Sequence, residues 1–232
     1  MKQALLLLLL FTAFGSMKAQ DTLQEPKHVI TLSLLSPTFS YAPRYNIGYM
    51  HKVSRRWWAG IEAGYGNYGT AFGMGVTNGS DYTTSDYKIF EVRPEIYFDL
   101  RPSSKLKHLV SAEFFYINHE DHFTTDRYFA PDGSSEYQFD AADYKRIKTG
   151  ININYSLIFY FTNRFGLIWK TGFGVANREV TYSNFTNRVL IDNSGGSDYE
   201  GNIFGTDQYI DNSGTRTKFN FNQDLKLFYK FN

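Results

Sequence analysis

The stretch RIKTGININYSLIFYF, residues 146–161, decides the fold class. Its odd positions are Ile147, Thr149, Ile151, Ile153, Tyr155, Leu157, Phe159 and Phe161, while the even ones begin Arg146, Lys148, Gly150, Asn152, Asn154 and Ser156. A β-strand sends successive side chains to opposite faces and a helix repeats every 3.6 residues or so, so this run is a long strand with one apolar and one polar face. The closing run repeats the pattern. Phe219, Phe221, Leu225, Leu227, Tyr229 and Phe231 alternate with Lys218, Asn220, Asn222, Asp224, Lys226 and Lys230. Further alternating runs cover Trp57–Tyr65, Phe90–Leu100 and Phe165–Val175, with looser ones at 29–36, 45–53 and 108–123. Eight strands are expected.

The connections between these strands alternate in length. Those at 54–56, 102–107 and 162–164 are tight, whereas 67–86, 124–143 and 182–214 are long, polar and rich in turn-forming residues. Long two-faced strands joined by every second connection being tight are what a transmembrane β-barrel requires, because in lipid only a closed sheet pairs every backbone group. Aromatic residues gather near the tight turns, as an interfacial girdle demands: Trp57, Phe98, Phe161, Phe165 and Phe231. The expected fold is therefore all-β, an eight-stranded antiparallel up-and-down transmembrane barrel.

Composition agrees with this reading. The 232 residues carry 24 Lys+Arg against 23 Asp+Glu, with 21 Phe, 18 Tyr and no cysteine. That balance leaves no basic footprint for nucleic acid, and the absence of cysteine excludes disulfides and thiolate metal sites. Residues 1–20 have Lys2, an apolar stretch with six consecutive leucines and a small-residue end at Ala19-Gln20, the pattern of a cleaved Sec-type signal peptide. The expected organisation is signal 1–20, a short periplasmic segment 21–28 and the barrel 29–232.

The signal, the eight alternating segments and the aromatic closing run Phe219–Asn232 resemble the small bacterial outer-membrane β-barrel proteins. The resemblance implies an outer-membrane location in a Gram-negative type envelope, periplasmic termini and tight turns, and long loops at the cell surface. It implies outer-membrane lipid and the barrel-insertion machinery as partners, the latter reading the terminal aromatic, here Phe231 before Asn232. It supplies no catalytic motif.

The polar face of the strands predicts an interior charge network of Glu62, Arg93, Glu95, Glu113, Lys148, Lys170 and Asp224, because an eight-stranded barrel is just wide enough for side chains to fill it. The three long connections hold twelve acids and two bases, while Lys52, Arg55, Arg56, Arg101, Lys105, Lys107 and Arg164 gather at the tight-turn end. Clustered carboxylates suit hard cations, so Asp192, Asp198, Glu200 and Asp211 are candidate ligands for a divalent cation. The repeated Ile-Asp-Asn-Ser-Gly at 191–195 and 210–214 reads first as paired turns. Loop aromatics such as Tyr128, Tyr137, Phe139, Tyr182 and Phe185 fit either surface recognition or strands continued beyond the membrane.

His119 and His122 fall on opposite faces of a strand and are tied to no serine by sequence. The functional expectation is a monomeric structural or surface-interaction protein without cofactor. The alternatives are a lipid-modifying enzyme of the lipid A acyl-transfer or deacylation kind and a narrow channel for small solutes.

Overall fold

The computed structural model describes residues 27–39, 42–70, 86–101, 106–131, 135–192 and 213–231. Nine strands account for most of them: β1 (His28–Ser33), β2 (Tyr45–Lys52), β3 (Trp57–Asn67), β4 (Lys88–Asp99), β5 (Lys107–Phe129), β6 (Glu136–Tyr160), β7 (Phe165–Thr186), β8 (Val189–Asp192) and β9 (Gly214–Phe231). A single helical turn, Ser36–Phe39, follows β1. Every neighbouring pair is antiparallel, in the order β5-β4-β3-β2-β1-β9-β7-β6, and β5 pairs with β6 as well. Eight strands thus form a closed ring, and β8 adds a short ninth strand against the far end of β6. Among the described residues no helix is long and apolar enough to cross a membrane, which says nothing about strands.

Closure follows from matching the first strand to the last. Six residues of β1, His28 to Ser33, pair in register with Phe231 to Lys226 of β9, leaving the ring without a free edge there. At the tight-turn end the two described hairpins close in the same way. Val53 and Ser54 both donate backbone N–H to the Trp57 carbonyl at 2.9 and 3.1 Å, and Phe161 and Thr162 do so to Phe165 at 2.9 and 3.1 Å.

The outer surface is a continuous apolar belt. Across the ladders it reads Tyr65 beside Phe90, Trp57 beside Phe98, Phe114 beside Ile151, Ile153 beside Phe173, Val175 beside Phe219 and Leu167 beside Leu227. Ile47, Ile61, Ile96, Ile151, Phe173 and Phe219 are each more than half exposed. On β7 the belt runs from Phe165 to Val175, ten steps that at about 3.3 Å each and a tilt near 40° rise about 25 Å, the height of a hydrocarbon band.

The strands do not stop where the belt ends. β5, β6 and β7 are 23, 25 and 22 residues long, against 11 and 12 for β3 and β4, so one side of the ring continues upward as a projecting sheet. The stretch 124–143 is accordingly corrected from a loop to strand on both sides of a short connection at 130–135, and Tyr182–Thr186 belongs to β7. Alternation breaks at Thr125 and Asp140, which the ladder skips between Thr124–Ala141 and Asp126–Phe139. Thr125 and, on β7, Asn184 adopt left-handed φ values of 54° and 53° there. This double bulge flips the face on which each side chain falls, so a period-two reading sees irregularity where the sheet continues.

The expected signal 1–20 and segment 21–26, most of the connection 67–86, and residues 193–212 lie outside the described residues.

Candidate functional site

The interior of the ring is filled in layers. At the tight-turn end, Val29, Met50, Trp58, Tyr97, Leu109, Ile158, Ile168 and Phe228 point inward and pack into one buried cluster. They leave a cavity of only about 30 Å³, room for about one water, rimmed by Asp99, Lys107 and Lys230. This end is apolar, whereas the inward face above it is polar. The cause is positional: the last one or two inward residues of each strand meet across the ring, where apolar packing seals it.

Above this plug lies the charge network. Glu62, Glu91, Glu95, Glu113 and Asp224 meet Arg44, Arg93, Lys170 and Lys226, nearly all of them buried. Lys170 Nζ bonds Glu95 Oε2 at 2.9 Å and also Glu113, and Arg93 Nη1 reaches Glu113 Oε1 at 3.0 Å. Arg93 also bonds Glu91, which Arg44 Nε approaches at 2.6 Å. The Asn46 amide donates to Glu91 at 2.8 Å and to Glu62 at 3.2 Å, linking this group to the Glu62–Lys226 pair. Lys226 Nζ lies 3.5 Å from Asp224, which accepts from Ser33 at 2.6 Å. Amides complete it: Asn152 donates to Glu113 at 2.8 Å and Asn154 to Glu95 at 3.1 Å, and these two accept from Asn220 and Asn222.

Six of the seven residues singled out from alternation, Glu62, Arg93, Glu95, Glu113, Lys170 and Asp224, therefore meet in one connected interior network. Lys148 shares the inward register of β6, between Arg146 and Gly150, and stands above it. Alternation placed Asn152, Asn154, Asn220 and Asn222 on this face but did not single out Arg44 or Asn46. Arg44 precedes β2 in a segment without regular structure, although its parity with Asn46, Gly48 and Met50 is the signal that places it inside.

Inward glycines make the space these groups occupy. A methyl group built on Gly172 would collide with the Asn154 amide and with the neighbouring backbone of β6. Gly172→Val is expected to cost about 1–3 kcal/mol through overpacking, read as a lowered denaturant midpoint. An unchanged midpoint would show that the interior has slack.

The third layer is aromatic. The inner face of the projecting sheet buries Phe123, Tyr128, Phe139, Ala142, Tyr144, Val180 and Tyr182, with Tyr137 and Phe185 against them. Tyr128 stacks on Tyr182 at 4.9 Å, and the Arg188 guanidinium lies 4.0 Å from the Tyr137 ring centre and 5.1 Å from that of Phe185. Strand extension and aromatic clustering are thus one feature, a small core above the ring.

The two central histidines part as expected. His119 is fully buried between Tyr87 and Tyr144, with Nε2 3.8 Å from Asp121. His122 lies on the outer face, its Nδ1 2.7 Å from Asp143 Oδ1. Ser183 pairs with Asp143 from the strand on the far side, so the carboxylate stands between serine and imidazole. That order does not build a nucleophile–base pair, which needs the imidazole next to the hydroxyl.

Hydrogen bonds from Asn184 and then His122 hold the Asp143 carboxyl below its usual range. A depressed carboxylate contributes stability that is present above the unfolded value of about 3.9 and lost as pH falls through the folded one. Carboxyl carbon titration by NMR is expected to give Asp143 a midpoint below about 3.9; a midpoint at or above it would mean the Asn184 bond is absent in solution.

Of the candidate cation ligands, Asp192 ends β8, opposite Glu136, and Asp198, Glu200 and Asp211 lie outside the described residues. Among the described residues no group of three or more His, Asp or Glu side chains converges as a metal cage. Phe231 ends β9 opposite His28.

No protein-family model matches this chain, and no curated protein matches it. Among solved structures, CarO of Acinetobacter baumannii is similar with a TM-score of 0.40 at 8% identity, over 91% of this chain and all of that one.

Proposed function

We propose that this protein is an outer-membrane β-barrel with a structural or surface-interaction role, its interior a plug and its projecting sheet with acidic loops the part offered to partners. The observation that carries the membrane assignment is the apolar belt. Large exposed side chains such as Ile47, Ile61, Phe114, Ile151, Phe173 and Phe219 surround the ring, whereas the charged side chains of the interior network are turned inward and paired. A water-soluble ring would carry the reverse, since monomeric soluble proteins expose apolar patches of only a few hundred Å². Lipid is the solvent that this distribution fits.

The same interior argues for a plug over a conduit. A buried apolar layer closes one end, with space there for about one water, a paired charge network lies above it, and diffusion pores use about sixteen strands. Role assignment then falls to the projecting sheet and the acidic connections, whose aromatic and charged groups suit recognition.

Fractionation with gel mobility of boiled and unboiled extracted protein tests the assignment. An outer-membrane fraction and a heat-dependent shift are expected. A soluble periplasmic protein with no shift would overturn it. Reconstituted vesicles should show no solute flux, and steady conductance would overturn the plug.

A further inference from the structure

A cluster away from the interior carries chemistry that neither network uses. On the outer face at the tight-turn rim, His28 of β1 lies directly opposite His51 of β2 on one side and Phe231 of β9 on the other. Both imidazoles are half-buried. Their Nδ1 atoms face each other at 3.4 Å, and the ring centres are 4.9 Å apart. The Tyr49 hydroxyl sits 2.6 Å from His28 Nδ1, and the Phe231 ring stacks on His28 at 5.4 Å with an 18° tilt.

We infer that His28 and His51 form a two-imidazole site for a divalent transition-metal cation such as zinc. The spacing supports it. Two nitrogens bound at about 2.0–2.1 Å to a tetrahedral zinc stand about 3.3–3.4 Å apart, and the two Nδ1 atoms already have that separation. Binding through both Nδ1 lone pairs needs each imidazole neutral with its proton on Nε2. That tautomer lets the Tyr49 hydroxyl donate to His28 Nδ1 in the metal-free state and turn away when metal arrives.

Both rings are held before any metal binds. Direct cross-strand pairing fixes the two backbones, and the Phe231 stack fixes the His28 plane. Preorganisation of this kind lowers the ordering cost that otherwise weakens a two-ligand site. The donor set also selects the ion. Imidazole suits zinc, copper and nickel, and no carboxylate among the described residues joins the pair, so calcium and magnesium are not served. The two lysines next in sequence to the histidines are placed differently. Lys27 adjoins His28 and is exposed, whereas the Lys52 ammonium lies 5.7 Å from the centre of the inward Trp58 ring, on the other face of the sheet. Water completes the coordination at the half-exposed rim.

Titration calorimetry of zinc chloride into tag-free, detergent-folded protein tests this, with calcium chloride as the control ion. One equivalent of zinc is expected to bind and calcium is not. His28→Ala and His51→Ala should each weaken zinc at least about 100-fold, beyond the roughly 10- to 100-fold that loss of an outer-shell partner brings, whereas Tyr49→Phe, which frees the His28 Nδ1 lone pair that the hydroxyl otherwise occupies, should not weaken zinc binding. Unboiled gel mobility identical to the wild type checks that each variant still closes its ring; if one does not, His51→Gln, which keeps a polar side chain of similar reach, replaces it. Absence of zinc heat at millimolar metal, or undiminished binding in either folded histidine variant, would overturn the site.

Discussion

Lys170→Met is expected to destabilise the ring by about 3–5 kcal/mol, the cost of leaving a buried charge without its partner. Lys170 is buried and bridges Glu95 and Glu113. Its loss does not fall equally on the two. Glu113 keeps Arg93 at 3.0 Å, whereas the remaining partners of Glu95 are the neutral donors Tyr97, at 2.7 Å, Ser111 and Asn154. Glu95 is therefore the group left uncompensated, and adding Glu95→Gln to the Lys170→Met variant should recover part of the lost stability. Urea-induced unfolding in detergent, followed by tryptophan emission, reads both effects. A Lys170→Met midpoint equal to that of the wild type would mean the network does not support the fold.

The second large effect concerns the outer belt. Ile153 is about half exposed near the middle of the apolar run 147–161, between Ala112 of β5 and Phe173 of β7. Ile153→Arg should cost about 2–4 kcal/mol if that surface faces hydrocarbon at the midplane, and should deplete the protein from the membrane fraction. If the surface faces water, the same change should lie within about ±0.5 kcal/mol, because nothing buried is disturbed. Glu179→Arg supplies the comparison. It lies on the same outer face of β7, beyond the belt, opposite Ile147 and Thr215, and should be near neutral in either solvent. Equal behaviour of the two variants would remove the membrane reading, whereas a large gap would support it.

Both predictions rest on the division between inside and outside. That division was legible in single strands: the odd positions of 147–161 and 219–231 read as apolar, and they are the positions the ring turns outward. Glu62, Arg93, Glu95, Glu113, Lys170 and Asp224 were legible as inward-facing by the same parity. Who pairs with whom was not. Lys226 meets Glu62 across 164 residues, and Arg44 meets Glu91 from just before β2.

The projecting sheet was harder still. Thr125 and Asp140 sit where the β5–β6 ladder misses a pair and Asn184 where the β6–β7 register shifts, and Tyr128 and Phe139 face inward on parities opposite to Phe123 and Tyr144. A run of turn-forming residues around the 130–135 connection then made two strands look like one loop.

By itself, the sequence determined the all-β class, the strand count of the ring, the apolar outer face and the side of each strand that bears charge, because period two is a property of consecutive residues. Only the tertiary structure decided the closure of β1 on β9, the apolar plug around Trp58 and Phe228, the partners of each buried charge and the facing of His28 with His51. Those depend on the stagger between strands, which sets which residues of distant segments share a level of the ring, and no local pattern encodes it.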